Sequence, residues 1–271
     1  MVLSALQRRI CQLLAESRRR AGDSYVAGGA ALGEVLKSDR LSRDLDLFHD
    51  DDQALARAAE RDLAALSAAG FVPTVLRQRP TFVEAEVHAD GARAILEWSR
   101  DSAFRFFPLV EHPELGLTLH PLDLATNKVL DAIGRLEVRD WVDLIESCRK
   151  LQPLGLLAWA ACAKDPGFNP RSIVELAARA GRYSQPEVDT LSFTGRPPDA
   201  GELGRAWHAE LDRARAMVPL LPAAEAGKLV LRTDGEAFRG GVDELRSALS
   251  GGALRFHAGR PRGAWPDVRP A

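Results

Sequence analysis

Leu3, Leu6, Ile10, Leu13 and Leu14 recur at helical spacing, with Arg8, Arg9 and Arg18 to Arg20 on or near the opposite face. The pattern predicts an amphipathic covering helix over 2–20. Ser24 to Ala27 read as a short strand running into a Gly28-Gly29 turn, and Ala30 to Leu36 as one or two helical turns. Leu45, Leu47 and Phe48 belong to a second strand. The stretch 51–69 is an amphipathic helix closed by Gly70. Further strands are expected at 71–72, 81–88 and 92–98, the middle one with a clear period of two. From about residue 118 the spacing turns helical, with helices expected at 122–133, 138–151, 154–163, 170–180, 186–191, 200–218 and 241–249. The prediction is an α+β or mixed α/β front half and a mostly helical back half. The last stretch, 251–271, is rich in Gly, Pro and Arg and is expected to be a mobile tail. Its four arginines, Arg255, Arg260, Arg262 and Arg269, read first as solvated charge and second as a nucleic-acid contact.

Composition narrows the class. The 271 residues are 46% hydrophobic and 27% charged, which suits a globular chain with a sizeable core. The net charge of −2 advertises no polyanion partner, so any nucleic-acid contact needs a local basic patch. Cys11, Cys148 and Cys162 form no C-x-x-C pair, which argues against a cysteine zinc site or a disulfide framework and for a reducing interior. The N-terminus is too interrupted by charge for a signal peptide, and no segment approaches the run of about 18 apolar residues that spans a bilayer. A cytoplasmic protein with no membrane partner is expected. The six histidines are scattered, and His49, which follows the second strand, reads as a surface residue.

The candidate chemistry lies between residues 28 and 48. In a strand, residues two apart point the same way, so Asp44 and Asp46 share one face while Leu45 and Leu47 face a core. Two adjacent carboxylates repel unless a cation lies between them, and a hard divalent ion such as Mg²⁺ prefers oxygen ligands. The glycines at 28 and 29 let backbone N–H groups approach a phosphate where a helix starts. A phosphate cradle joined to a metal-binding Asp-x-Asp strand suggests phosphoryl or nucleotidyl transfer. Ser42 stands two residues before Asp44, near enough to hydrogen-bond the aspartates or to be a modification target.

The run Gly28-Gly29-Ala30-Ala31-Leu32 followed by Arg40-Leu41-Ser42-Arg43-Asp44-Leu45-Asp46-Leu47-Phe48 resembles the AbiEii/AbiGii-type toxin nucleotidyltransferases of the DNA polymerase β-like superfamily. The likeness continues through Lys128, Arg135 and Arg139-Asp140-Trp141-Val142-Asp143-Leu144, and covers roughly 24–150. It implies an α+β fold with a polymerase β-like mixed sheet and flanking helices. A core domain over 1–118 would be followed by a helical domain over 119–250 that completes the active site. It implies NTP as substrate with Mg²⁺, or Mn²⁺ in its place, on Asp44 and Asp46. Gly28, Gly29, Ala30 and Ser42 would lie at the nucleotide. Lys128 would reach the triphosphate, and Asp140 would serve as a base or orient Lys128. Asp143 and Arg139 would line the NTP, or Arg139 would pair with Asp140 and Asp143, and Arg105 would contact the nucleotide or a structural carboxylate. The third carboxylate of the family is expected at Glu97, with Asp101 as second choice; many relatives carry Asp there. Relatives also often carry Ser or Thr where Ala30 stands, so backbone amides must do that work here.

The resemblance implies a toxin of a type IV toxin–antitoxin or phage-defence system, acting on a tRNA 3′ end and restrained by a cognate antitoxin. Nucleotidylation of a protein or of a cationic small molecule such as an aminoglycoside is the alternative enzyme reading. A non-catalytic nucleotide-binding module is the reading from another class.

Overall fold

The computed structural model describes residues 2–179 and 181–267. Ala180, at the end of the expected 170–180 helix, and residues 268–271, which include Arg269, lie outside the described residues. The chain forms two compact units. The first comprises Met1–Ala103, Pro108–His120 and Ser192–Gly195, and the second Phe104–Phe107, Pro121–Leu191 and Arg196–Ala271.

The first unit opens with α1 (Ala5–Ala21). Its start is a capping box: Ser4 Oγ accepts from the Gln7 N–H at 3.1 Å and Gln7 Oε1 accepts from the Ser4 N–H at 2.8 Å. Gly22, in the left-handed region, ends it. There follow β1 (Ser24–Val26), α2 (Gly28–Leu36), β2 (Asp44–His49), α3 (Asp52–Ala68), β3 (Val72–Arg79), β4 (Phe82–Ala89) and β5 (Ala92–Arg100). After β6 (Phe104–Arg105), which belongs to the second unit, come β7 (Val110–His112) and β8 (Gly116–Thr118). Seven strands make one sheet in the order β3-β4-β5-β2-β1-β8-β7. The sheet is mixed: β2 runs parallel to β5 and β1 to β8, while β1/β2, β3/β4, β4/β5 and β7/β8 are antiparallel.

The alternation expected along the strands is present. Leu45, Leu47, Val83, Ala85, Leu96 and Trp98 are buried, and α1 and α3 pack against the sheet. Asp44, Asp46, Glu84 and Glu97 occupy the half-buried face. The strand expected at 71–72 extends from Val72 to Arg79. It is an edge strand exposed along nearly its whole length, so neither face imposes an apolar period.

Two side chains expected at the surface are buried. Arg18 completes the buried face of α1 and lies 3.8 Å from Asp62, which accepts a bond from Trp98 Nε1 at 3.1 Å. His49 sits on the buried face of β2, its Nε2 3.1 Å from Ser24 Oγ and its Nδ1 3.3 Å from the Ser99 carbonyl. A carbonyl only accepts, so Nδ1 donates and Nε2 accepts from the hydroxyl. Burial pulls the imidazole from 6.5 down to about 4, against the Ser99 bond, which favours the proton. Between those values the unfolded chain binds a proton that the folded chain refuses, so stability is full above pH 6.5 and falls as pH drops towards 4. The loss attributable to His49 should reach about 2 kcal/mol by pH 5. Melting wild type and His49→Gln at pH 7.5 and 5.0 should show a smaller loss in the variant; equal losses would remove His49 from the account.

The second unit contains α4 (Pro121–Gly134), α5 (Val138–Lys150), α6 (Leu154–Ala161), α7 (Pro170–Ala177), α8 (Gln185–Val188), α9 (Ala200–Met217) and α10 (Val242–Ser250). All eight residues of α6 are buried, and it packs against α4, α7 and α9. At Gly155 the contact is close enough that a Cβ would lie 2.9 Å from the Ala214 Cα. Two short sheets complete the unit. In one, β9 (Lys228–Arg232) pairs antiparallel with β10 (Leu254–Ala258), beside a core of Leu156, Trp159, Met217, Val230, Phe238 and Leu245. In the other, β11 (Arg260–Pro261) pairs with β6. The described part of the segment, 251–267, therefore differs from the expected tail. The ladder with β9 and the burial of His257 hold it, and a Gly- and Pro-rich composition hides both. Among the described residues no helix is long and apolar enough to cross a membrane.

Candidate active site

In the first unit the glycine turn and the Asp-x-Asp strand meet. Ala27 is extended, and its N–H donates to the Asp46 carbonyl at 3.0 Å, which ends the β1–β2 ladder. Gly28 then adopts φ +62°, and α2 begins with no side chain capping its first turn. The N–H groups of such an uncapped turn are suited to an anion. Gly28 has a second constraint besides its φ. A Cβ there would lie 2.9 Å from the Asp46 Cβ and overlap the Asp46 carboxylate itself. The absent side chain is what lets the turn sit directly on the acid.

A comparison of two substitutions separates these effects. Gly22 has φ +69° and open space where a Cβ would go. Gly22→Ala should therefore carry only the conformational cost, about 1 kcal/mol. Gly28→Ala should cost clearly more, because either the turn or Asp46 must move. Equal losses of Tm would show that the contact is unimportant.

Asp44 and Asp46 are half-buried on the same face of β2, while Leu45, Leu47 and His49 face the core. In the parallel register of β2 and β5, Asp46 is opposite Glu97 and Asp44 is opposite Ile95. The connector before β2 is tied down at several points. Ser42 Oγ donates to the Asp44 carbonyl at 3.1 Å, and Gln7 Nε2 lies 3.3 Å from the carbonyls of Ser42 and Arg43. The Leu41 N–H donates to the Ser192 carbonyl at 2.8 Å. This Ser42 contact goes to backbone and shapes the strand entry. Ala30 is fully buried. Asp101 lies past the end of β5, where its Oδ1 accepts from the Ser102 N–H at 2.7 Å.

One carboxylate at this face was not anticipated. Glu84 on β4 pairs in register with Glu97, so Asp46, Glu97 and Glu84 form a row across three strands, with Arg77 at 3.1 Å from Glu84. The signal was available: Val83, Ala85 and Val87 alternate inward, which places Glu84 and Glu86 on the opposite face. Among the described residues no three His, Cys, Asp or Glu side chains form a metal cage. What fits a hard cation is the Asp44–Asp46 pair, an all-oxygen donor set of the kind Mg²⁺ takes together with substrate oxygens.

In the second unit a buried ion network collects the downstream motif. Lys128 Nζ lies 2.7 Å from Asp140 Oδ1, 3.4 Å from Asp131 Oδ2 and 3.6 Å from Asp143 Oδ2. Lys128, Asp140 and Asp143 are all buried. Arg135 joins at 2.8 Å from Asp131 and 3.3 Å from Asp140 Oδ2. Burial alone would push the Lys128 ammonium towards neutrality, but Asp143, Asp131 and Asp140 outweigh it and hold its pKa above the ordinary value. The lysine is charged and oriented. Asp140 has no exposed surface and pairs with both Lys128 and Arg135. Asp131 was missed, although its spacing of three from Lys128 on α4 predicts the contact. Arg139 pairs with Glu137 at 2.8 Å. Arg105 is buried on β6, opposite Arg260 of β11. A further buried carboxylate, Asp123, accepts the N–H groups of Phe106 and Phe107 at 2.9 and 3.0 Å and pairs with Lys164 at 3.0 Å.

No protein-family model matches the sequence, and no curated protein matches it significantly. Solved structures do match the fold. The chain resembles a provisionally assigned nucleotidyltransferase from H. pylori, with 15% identity and a TM-score of 0.54 over 81% of this chain and 99% of that one. It also resembles the MenT4 nucleotidyltransferase toxin from Mycobacterium tuberculosis, with 19% identity and a TM-score of 0.51 over 81% of this chain and 85% of that one. The likeness is one of fold: the chain has the nucleotidyltransferase fold that its Gly-Gly and Asp-x-Asp motifs resemble.

Proposed function

We propose that this chain is a divalent-metal-dependent nucleotidyltransferase that moves a nucleoside monophosphate from an NTP to an acceptor hydroxyl. The observation that carries the reading is the seat of Gly28 on Asp46, which places an uncapped helix start beside a carboxylate pair suited to a hard cation. Asp44 and Asp46 would hold the metal, with Glu97 as the neighbouring third carboxylate. A bound divalent cation would neutralise phosphate charge and favour the acceptor hydroxyl as its alkoxide. The N–H groups of Gly28, Gly29 and Ala30 donate to phosphate oxygens, and the buried Ala30 methyl contributes no hydroxyl to them. By its motif Lys128 is assigned to the triphosphate, and Asp140 and Asp143 keep it charged and aimed.

The acceptor we favour is the 3′ end of a tRNA, in a toxin-like role inside the cell and under the restraint of an antitoxin. The likeness in fold to a nucleotidyltransferase toxin supports it. A protein or cationic small-molecule acceptor, or a non-catalytic module, would follow from different outcomes of one experiment. Each α-labelled NTP is incubated with Mg²⁺ and total tRNA, beside the Asp44→Ala variant. Label in RNA that depends on Asp44 is the expected result. Label on protein would replace the acceptor, and no label with NTP binding intact would contradict the tRNA reading and leave a small-molecule acceptor or a non-catalytic module.

A further inference from the structure

The C-terminal segment carries an exposed aromatic side chain just after the turn that follows β11. Trp265 is 61% exposed. Its ring lies 5.7 Å from that of Phe107, which lies 5.0 Å from the ring of His257. Phe107 and His257 are buried, and His257 Nε2 donates to the Phe106 carbonyl at 2.8 Å. The Ala264 N–H donates to the same carbonyl at 3.0 Å, one residue before the tryptophan. The indole is thus held from behind while much of its surface faces solvent, an arrangement that a core does not need.

Two arginines lie in the turn that precedes it, Arg260 with its Nε donating to the Gly263 carbonyl at 3.2 Å. The Gly263 N–H donates to the Arg260 carbonyl at 3.0 Å and closes a turn through Pro261 and Arg262. Arg262 sits in that turn at φ +62°, a conformation that glycine adopts without the steric cost. Arg260 and Arg262 are both exposed, and between residues 251 and 267 the only acidic residue is Asp267.

We propose that Trp265, with Arg260 and Arg262, forms a platform on which a single-stranded RNA end stacks. The inference rests on the nucleotidyl-transfer reading and adds to it the element that recognises the acceptor. The chemistry is that of single-strand binding: a base stacks on an aromatic face without sequence preference, and guanidinium groups follow the phosphates. Cations at the turn and a solvent-facing indole together fit an unpaired polynucleotide.

The test measures binding of a short fluorescein-labelled single-stranded RNA by anisotropy, with wild type, Trp265→Ala, Trp265→Phe and Arg262→Gly. Trp265→Ala is expected to weaken binding about tenfold, and Trp265→Phe to restore most of it. Arg262→Gly should weaken binding and flatten its salt dependence while the Tm stays level or rises, because glycine suits that backbone. NTP binding should be unchanged in all three. Equal affinity of wild type and Trp265→Ala, or no RNA binding by wild type, would overturn the platform. The two readings fail separately. Asp44-dependent label on a protein without RNA binding removes the platform and keeps nucleotidyl transfer. Trp265-dependent RNA binding without any label keeps the platform and removes nucleotidyl transfer.

Discussion

Asp46→Asn is expected to lower nucleotidyl transfer on the order of 10³-fold or more, about 4 kcal/mol of transition-state stabilisation, with the fold intact. Asn keeps the volume and shape of the side chain, so its contact with Gly28 survives, while the charge that would attract a divalent ion is gone. The substitution also removes one of the like charges in the row Asp46, Glu97 and Glu84. Tm should therefore change by no more than a few degrees. Glu97→Gln should reduce transfer less than Asp46→Asn does if Asp44 and Asp46 are the principal ligands. Collapse of the fold in Asp46→Asn would make this carboxylate a structural brace instead.

Lys128→Met is expected to act mainly on stability. It leaves Asp140 and Asp143 buried with one cation removed from among them. Breaking a buried pair by removing one partner typically costs about 3–5 kcal/mol, which for a chain of this size lowers Tm on the order of 10 °C. The double variant Lys128→Met with Asp140→Leu should recover part of that loss, since the isolated charge is removed with its partner. A single-variant loss below about 1 kcal/mol, with no recovery in the double variant, would show that the network contributes little. Because stability and activity fall together here, transfer by the single variant must be measured well below its Tm.

The sequence made the front-half sheet legible because several of its strands have one buried and one solvated face. Leu45 and Leu47 against Asp44 and Asp46 is such a pattern, and Val83, Ala85 and Val87 against Glu84 and Glu86 is another. β3 escaped because an exposed edge strand has no inward set to reveal it, and β9 and β10 because their pairing joins segments far apart in sequence. Burial of charge was the least legible property. Arg18 reads as one of three exposed arginines and His49 as a polar strand end. Only the tertiary partners Asp62, Ser24 and Ser99 show why each is inside. Spacing alone could not show that Gly28 lies on Asp46, that Ser42 serves the backbone, or that Lys128 is shared by three carboxylates.

Asp44 and Asp46 are proposed to make nucleotide binding depend on a divalent cation. The direct measurement is calorimetric titration of wild type and the Asp44→Asn/Asp46→Asn double variant with a non-hydrolysable NTP, in Mg²⁺ and in EDTA. Tight binding that needs both Mg²⁺ and the two aspartates is the predicted result. Equal affinity in all four titrations would contradict the account.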